Sequence, residues 1–202
     1  MNDTYKTVAG PSGDILYKEK GSKFIGYVYP ITNIEEVKEF LADLKKQHHA
    51  ARHWCYAWRM GIDGDQYRVN DDGEPGNSAG QPIYGQIKAM GLTNILVVVV
   101  RYFGGTKLGV GGLIQAYKTA AKWTLDDATL VDRIITVNFR LNFEYSDMDK
   151  IRRIIKEEKL KLHSENLALN CEYVLQVRKR DVDRIKDRFE GLRCLNSLKI
   201  FD

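Results

Sequence analysis

The sequence predicts an α+β protein of two domains, residues 1–133 and 134–202. Three observations carry this reading. After Asp132 the chain runs strand, helix, strand, strand, helix, strand. That βαββαβ order makes a ferredoxin-like domain, an antiparallel sheet with both helices on one face. Before Asp132, the run NILVVVVRY is continuously apolar and β-branched, the pattern of a central strand covered on both faces. It leads through a glycine-rich junction into a long helical pattern, Leu113 to Ala128, so the first part is a mixed α/β domain with its own core.

The elements follow in order. TYKTV, DILYKEK and KFIGYVYPI read as strands. Thr32 and Glu35 have the spacing of a capping box and open a helix with Val37, Phe40, Leu41 and Leu44 on one face. HWCYAWRM and QYRVN are strands joined by a turn at IDGD. NDDGEPGNSAGQP is a loop, and IYGQIKAMG a short helix. In the second domain ITVNFRLNFEY alternates as a strand. Ser146 is placed to cap a helix whose stripe is Met148, Ile151, Ile154 and Ile155. KLHSENLALN and EYVLQVRK are strands. Asp181 starts a helix that turns Val182, Ile185 and Phe189 inward, and Gly191 ends it. LRCLNSLKIF closes the sheet.

Composition narrows the class. The formal net charge of the 202 residues is +4, which permits an anionic partner without demanding one. Cys55, Cys171 and Cys194 are too widely spaced for a disulfide framework or a CxxC pair, and a reducing cytoplasm fits them. MNDTYKTVAG has no apolar signal-peptide core, and the longest apolar run, Ile95 to Val100, is too short to cross a bilayer. The expectation is a cytoplasmic protein with no membrane partner.

Three stretches can carry chemistry. The first, RYFGGTKLGVGGLIQAY, places Gly104, Gly105, Gly109, Gly111 and Gly112 between a strand and a helix. Such a turn aims backbone N–H groups and a helix dipole at an anion, with Arg101 and Lys107 adding charge. The competing reading is a tight crossover packed on the sheet. The spacing is neither GxGxxG nor a Walker A loop, since Val110 stands where lysine belongs. The second, HHAARHWCYAWR, holds His49, His53 and Cys55. Alternation puts His53, Cys55 and Ala57 on one strand face and Trp54, Tyr56 and Trp58 on the other. A zinc site needs more ligands at compatible spacing, so no metal is expected. In the third, NDDGEPGNSAGQPI, Asp71, Asp72 and Glu74 bunch on a turn. They can bind a cation, act as acid and base, or pair with Arg101, Lys107 or the histidines.

Together ARHWCYA (51–57), DDGEPGNSAGQPI (71–83) and VVRYFGGTKLGVGGLIQAY (99–117) resemble the IMPACT family, in its bacterial YigZ-like branch. The resemblance covers most of residues 15–128. Two positions depart from the family pattern. Asn77-Ser78-Ala79-Gly80 stands for Gly-Thr-Ala-Gly, and Gln115 replaces an arginine, which removes a cation beside the loop. The resemblance implies a first domain like the second domain of ribosomal protein S5, a fold shared with sugar and mevalonate kinases. It also implies a smaller C-terminal domain, and a setting in translational control, where eukaryotic members act.

The resulting expectation is a protein that binds RNA or a ribosome-associated factor and takes no cofactor. Phosphate would lie at Arg101, Tyr102, Phe103, Gly104, Gly105, Lys107, Gly109, Gly111 and Gly112, supported by His49, His53, Asp71, Asp72 and Glu74. Two other readings stay open. One is an enzyme on a small phosphorylated molecule, with Asp72 or Glu74 as acid–base. The other is a protein-binding adaptor in stress signalling whose loop is structural.

Overall fold

A computed structural model describes residues 3–168, 170–192 and 194–201. It divides into two compact units. One is Tyr5–Arg133; the other is Ile134–Asp202 joined by Asp3 and Thr4.

The first unit is built on a five-stranded sheet. β2 (Ser12–Glu19), β3 (Ser22–Pro30), β4 (His53–Met60), β5 (Gln66–Asn70) and β6 (Ile95–Tyr102) lie in the order β2-β3-β6-β4-β5. Every pairing is antiparallel. A continuous apolar run usually marks a parallel strand. Here β6 is antiparallel and still apolar throughout, because helices cover both faces. Val97 and Val99 pack with Ile83 and Ile87 of α2 (Gly80–Ala89) and with Leu113, Ala116 and Tyr117 of α3 (Gly109–Asp127). Leu96, Val98 and Val100 pack on the other side with Val37 and Leu44 of α1 (Ile34–Gln47). His53, Cys55 and Ala57 do alternate with Trp54, Tyr56 and Trp58 between these faces.

Helix starts depart from the sequence expectation. The cap of α1 is Asn33, whose side-chain oxygen accepts from the Glu36 N–H at 2.9 Å. Glu36 reaches back to the Thr32 N–H and hydroxyl. Asn at the cap serves as well as Thr, so the box slips one residue and leaves Glu35 outside it. Ser146 makes no cap either. A 3-10 turn, Tyr145–Asp147, feeds α4 (Met148–Glu157) with Asp147 at its head.

The second unit completes the ferredoxin-like order. β8 (Thr136–Glu144), β9 (Lys161–Asn166), β10 (Asn170–Arg178) and β11 (Leu195–Phe201) form an antiparallel sheet ordered β11-β8-β10-β9. Its inward residues, Phe139, Leu141, Phe143, Tyr173 and Leu175, pack with Ile151 and Ile154 of α4 and with Ile185 and Phe189 of α5 (Val182–Glu190). Two expected strand stretches include Leu169 and Arg193, which lie outside the described residues. Gly191 ends α5 at φ −62°, without the left-handed turn that favours glycine. Asp3, placed in the first domain by the sequence reading, instead binds Arg178 with both carboxylate oxygens. Its carbonyl accepts from the Ile135 N–H at 2.8 Å.

The residues at the expected domain boundary form a strand. β7 (Leu130–Ile134) pairs with β1 (Thr4–Val8) in a two-stranded ribbon. The sequence signal was short on both sides, and β1 has little alternation of its own.

Candidate functional site

The glycines after β6 divide by cause. Gly104 sits against the β2–β3 turn, and a Cβ there would lie 1.9 Å from the Gly21 carbonyl carbon. Its N–H donates to Ser22 Oγ at 3.2 Å. Gly105 and Gly109 stand at φ +87° and +72°, where an L side chain is strained. These three answer to the fold. At Gly111 a Cβ would meet nothing within 4 Å, and its φ is ordinary. Gly112 would bring one near the Leu108 side chain, at 3.1 Å. Helix α3 begins at Gly109 with no side-chain cap. Its first N–H groups, which have no partner inside the helix, are therefore available at its N-terminus.

Beneath this turn lies a buried polar cluster. The Arg101 side chain is 6% exposed and Glu74 4%. Arg101 Nη1 donates to Glu74 Oε1 at 2.5 Å, and Tyr117 Oη donates to the same oxygen at 2.8 Å. Arg101 Nη2 lies 3.4 Å from Ser22 Oγ. The guanidinium stacks near Phe24 and Phe103, 5.4 and 5.7 Å from the ring centroids. Its Nε is buried and has no hydrogen-bond partner among the described residues. Unpaired buried donors are uncommon because each costs about 1–3 kcal/mol. Cys55 Sγ is 3.2 Å from Tyr117 Oη and 3.0 Å from the Asp71 carbonyl oxygen. Burial pushes both the Cys55 thiol and the Tyr117 phenol well above their ordinary pKa, so both are neutral, inert donors.

The other expected residues sort themselves by their partners. Asp71 is a capping group at long range. Its carboxylate accepts from the N–H groups of Asn77, Ala79 and Gly80, which satisfies the start of α2. Asn77 stands at φ +63°, a region that Asn tolerates, which explains how it replaces the family's glycine. Asp72 Oδ2 accepts from the Trp54 N–H at 2.7 Å. His53 Nδ1 lies 2.8 Å from the Asp72 carbonyl oxygen. A carbonyl only accepts, so Nδ1 carries the proton. His53 Nε2 then stands 3.9 Å from Glu74 Oε1.

Two expected residues lie elsewhere. Tyr102 follows Arg101 on β6 and points to the opposite face, as strand alternation requires. Its hydroxyl pairs with His48 Nδ1 at 2.9 Å, and His48 Nε2 lies 2.6 Å from Tyr27 Oη. His49 is exposed beyond the end of α1, so the engaged histidine of that pair is His48, which the sequence reading passed over. Tyr117 was also missed as a polar group. Its signal was a hydroxyl on an apolar helix stripe, where a buried tyrosine must find a partner.

A cavity of about 360 Å³ opens here, lined by Glu74, Pro75, Arg101, Phe103 and Lys107, with Leu108, Gly109, Val110 and Leu113 at the start of α3. Lys107 makes no ion pair among the described residues. A larger cavity in the second unit, about 550 Å³, lies between α4 and α5. Of its cations, Lys150 pairs with Asp147, Arg153 with Glu157, and Arg188 with Glu157 and Glu158. The first cavity therefore has the better claim to a ligand, with an unpaired buried donor and an unpaired cation.

Comparison with known proteins agrees with the quoted stretches. The Impact N-terminal domain model matches residues 20–125. IMPACT family member YvyE of Bacillus subtilis is 32% identical over 187 residues, 93% of this chain and 86% of that protein. IMPACT family member YigZ of Escherichia coli is 35% identical over 143 residues, 70% of each chain. A crystal structure of a hypothetical protein superposes with a TM-score of 0.76 at 27% identity, covering 100% of this chain and 98% of the other. With the family's domain matched over half the chain and its bacterial members matched along most of it, this chain belongs to the IMPACT family, with its YigZ-like members.

Proposed function

We propose that this protein binds RNA or a ribosome-associated factor in the regulation of translation, holding phosphate at the turn between β6 and α3. The observation that carries the reading is the uncapped N-terminus of α3, which meets a cavity lined also by Lys107 and Arg101. Helix N-termini favour anions through their free N–H groups and dipole. Arg101 is charge-balanced by Glu74, so the net attraction comes from Lys107 and the α3 N-terminus. Family membership supports the translational setting.

Binding is favoured over catalysis by the state of the carboxylates. Asp71 caps α2, Asp72 holds the Trp54 N–H, and Glu74 Oε1 is shared by Arg101 and Tyr117. None stands free as an acid or base with a matched partner. A protein partner is the second reading, favoured by Phe103, Val110 and Ile114, which are exposed around the same turn.

Titration of short single-stranded RNA by anisotropy at several salt concentrations tests the proposal. Each phosphate contact releases counterions, so a site with one free lysine gives a small log–log slope, about one to two. Lys107→Ala weakens binding to all sequences alike and lowers the slope by about one. Absence of saturable binding at low salt rejects the nucleic-acid reading. Recovery of one protein after crosslinking in cells, without RNA, favours the second.

A further inference from the structure

The cavity between β6 and α3 holds features that a phosphate does not use. Its walls are largely carbon: Pro75, Phe103, Leu108, Val110 and Leu113. Its volume, about 360 Å³, falls in the range of small-molecule pockets and far exceeds one phosphate. Glu74 also lines it. One oxygen, Oε1, is used by Arg101 and Tyr117, while Oε2 accepts no hydrogen bond among the described residues. A carboxylate oxygen repels phosphate and accepts an N–H. Arg101, which holds Glu74 and also lines the cavity, carries a buried Nε–H without an acceptor among the described residues.

We propose that the cavity takes one nucleoside monophosphate unit with its base inside, a reading that rests on the phosphate site proposed above. A base edge carries donors and acceptors side by side, which matches Glu74 and Arg101 on one wall. A phosphate offers acceptors and matches only half of that wall. Phe103 is 46% exposed at the rim, with the Arg101 guanidinium near its ring, and its open surface is available for stacking. Lys107 and the α3 N-terminus then meet the phosphate. A free nucleotide and the 5′-phosphorylated end of a strand present the same chemistry.

Calorimetric titration of the full chain with inorganic phosphate, ribose 5-phosphate and the four nucleoside monophosphates tests this. At least one nucleoside monophosphate binds about tenfold or more tighter than ribose 5-phosphate, as stacking on one ring provides. Phe103→Ala removes that advantage and leaves ribose 5-phosphate unchanged, while Lys107→Ala weakens both. Glu74 also holds Arg101 and Tyr117, so the surface variant Phe103→Ala decides the matter without risk to folding. Tighter binding of a 5′-phosphorylated than a 5′-hydroxyl oligoribonucleotide assigns the strand end. Equal binding of those two, with tight free nucleotide, assigns the free molecule. Equal affinity for phosphate, ribose 5-phosphate and all four nucleotides overturns the proposal. RNA binding that survives in that case leaves the phosphate reading standing, and loss of all binding removes both.

Discussion

Gly111 separates function from folding by a single methyl group. It is the third residue of α3, with ordinary φ, and a Cβ built there meets no atom within 4 Å. Alanine at such a position loses less conformational entropy on folding than glycine. Gly111→Ala should therefore stabilise the first unit by about 0.5–1 kcal/mol. For a chain of this size that raises the melting temperature by about 1–4 °C. Its neighbours provide contrast. Gly105→Ala and Gly109→Ala each force a side chain into the left-handed region and cost about 1–2 kcal/mol. Gly104→Ala drives a methyl into the β2–β3 turn backbone and should disrupt the unit. Yet the methyl at 111 also stands on the first turn of α3, where the partner is proposed to approach. The expected result is a protein that melts higher and binds short RNA about tenfold more weakly, since close backbone contact at a phosphate is what glycine permits. Circular dichroism melts and anisotropy titrations on the same preparations measure both. Higher stability with unchanged affinity would refute the placement of the ligand. Lower stability would refute the claim that the fold leaves Gly111 unconstrained.

Three further outcomes follow from named contacts. Tyr102→Phe should leave RNA affinity unchanged and destabilise the first unit by about 1 kcal/mol, because its hydroxyl serves His48 on the face away from the cavity; denaturant titration and binding on one variant check this. Burial holds His48 below its ordinary pKa, although Asp14 pulls it upward. A base depressed in the fold contributes stability above its unfolded pKa and loses it as pH falls through the folded value. The first unit should therefore weaken as pH drops below about 6.5, and His48→Gln should flatten that slope in melts at stepped pH. Hydrogen bonding and charge from Arg178, with Arg180 adding charge, hold the Asp3 carboxyl below its ordinary range. Its contribution is present above the unfolded carboxylate pKa and is lost as pH falls through the lower folded one. Asp3→Asn should reduce the acid sensitivity of residues 134–201 in amide exchange and leave the exchange of β6 unaltered.

The sequence made the layers legible because periodicity reports burial directly. Val97 and Val99 against Leu96, Val98 and Val100 required two covered faces, and α1 on one side with α2 and α3 on the other supplies them. The second unit was legible for the same reason, through Phe139, Leu141 and Phe143 on one face of β8. Capping was legible only to within a residue. Thr32 and Asn33 are both competent caps, and the choice between them depends on where Glu36 reaches. The site was the hardest part, because residues adjacent in sequence separate across a strand. Arg101 and Tyr102 were grouped as one surface; alternation sends Arg101 to Glu74 and Tyr102 to His48. Long-range polar partners leave no local trace at all. Nothing within DDGEP shows that Asp71 caps a helix eight residues on, that Asp72 holds a strand N–H, and that only Glu74 reaches the cavity. The five glycines present one signal in sequence, and four of them have three causes in space: close backbone approach at 104, left-handed turns at 105 and 109, and free space at 111. A glycine that the fold does not require, on an uncapped helix start, is where a demand from outside the chain becomes visible.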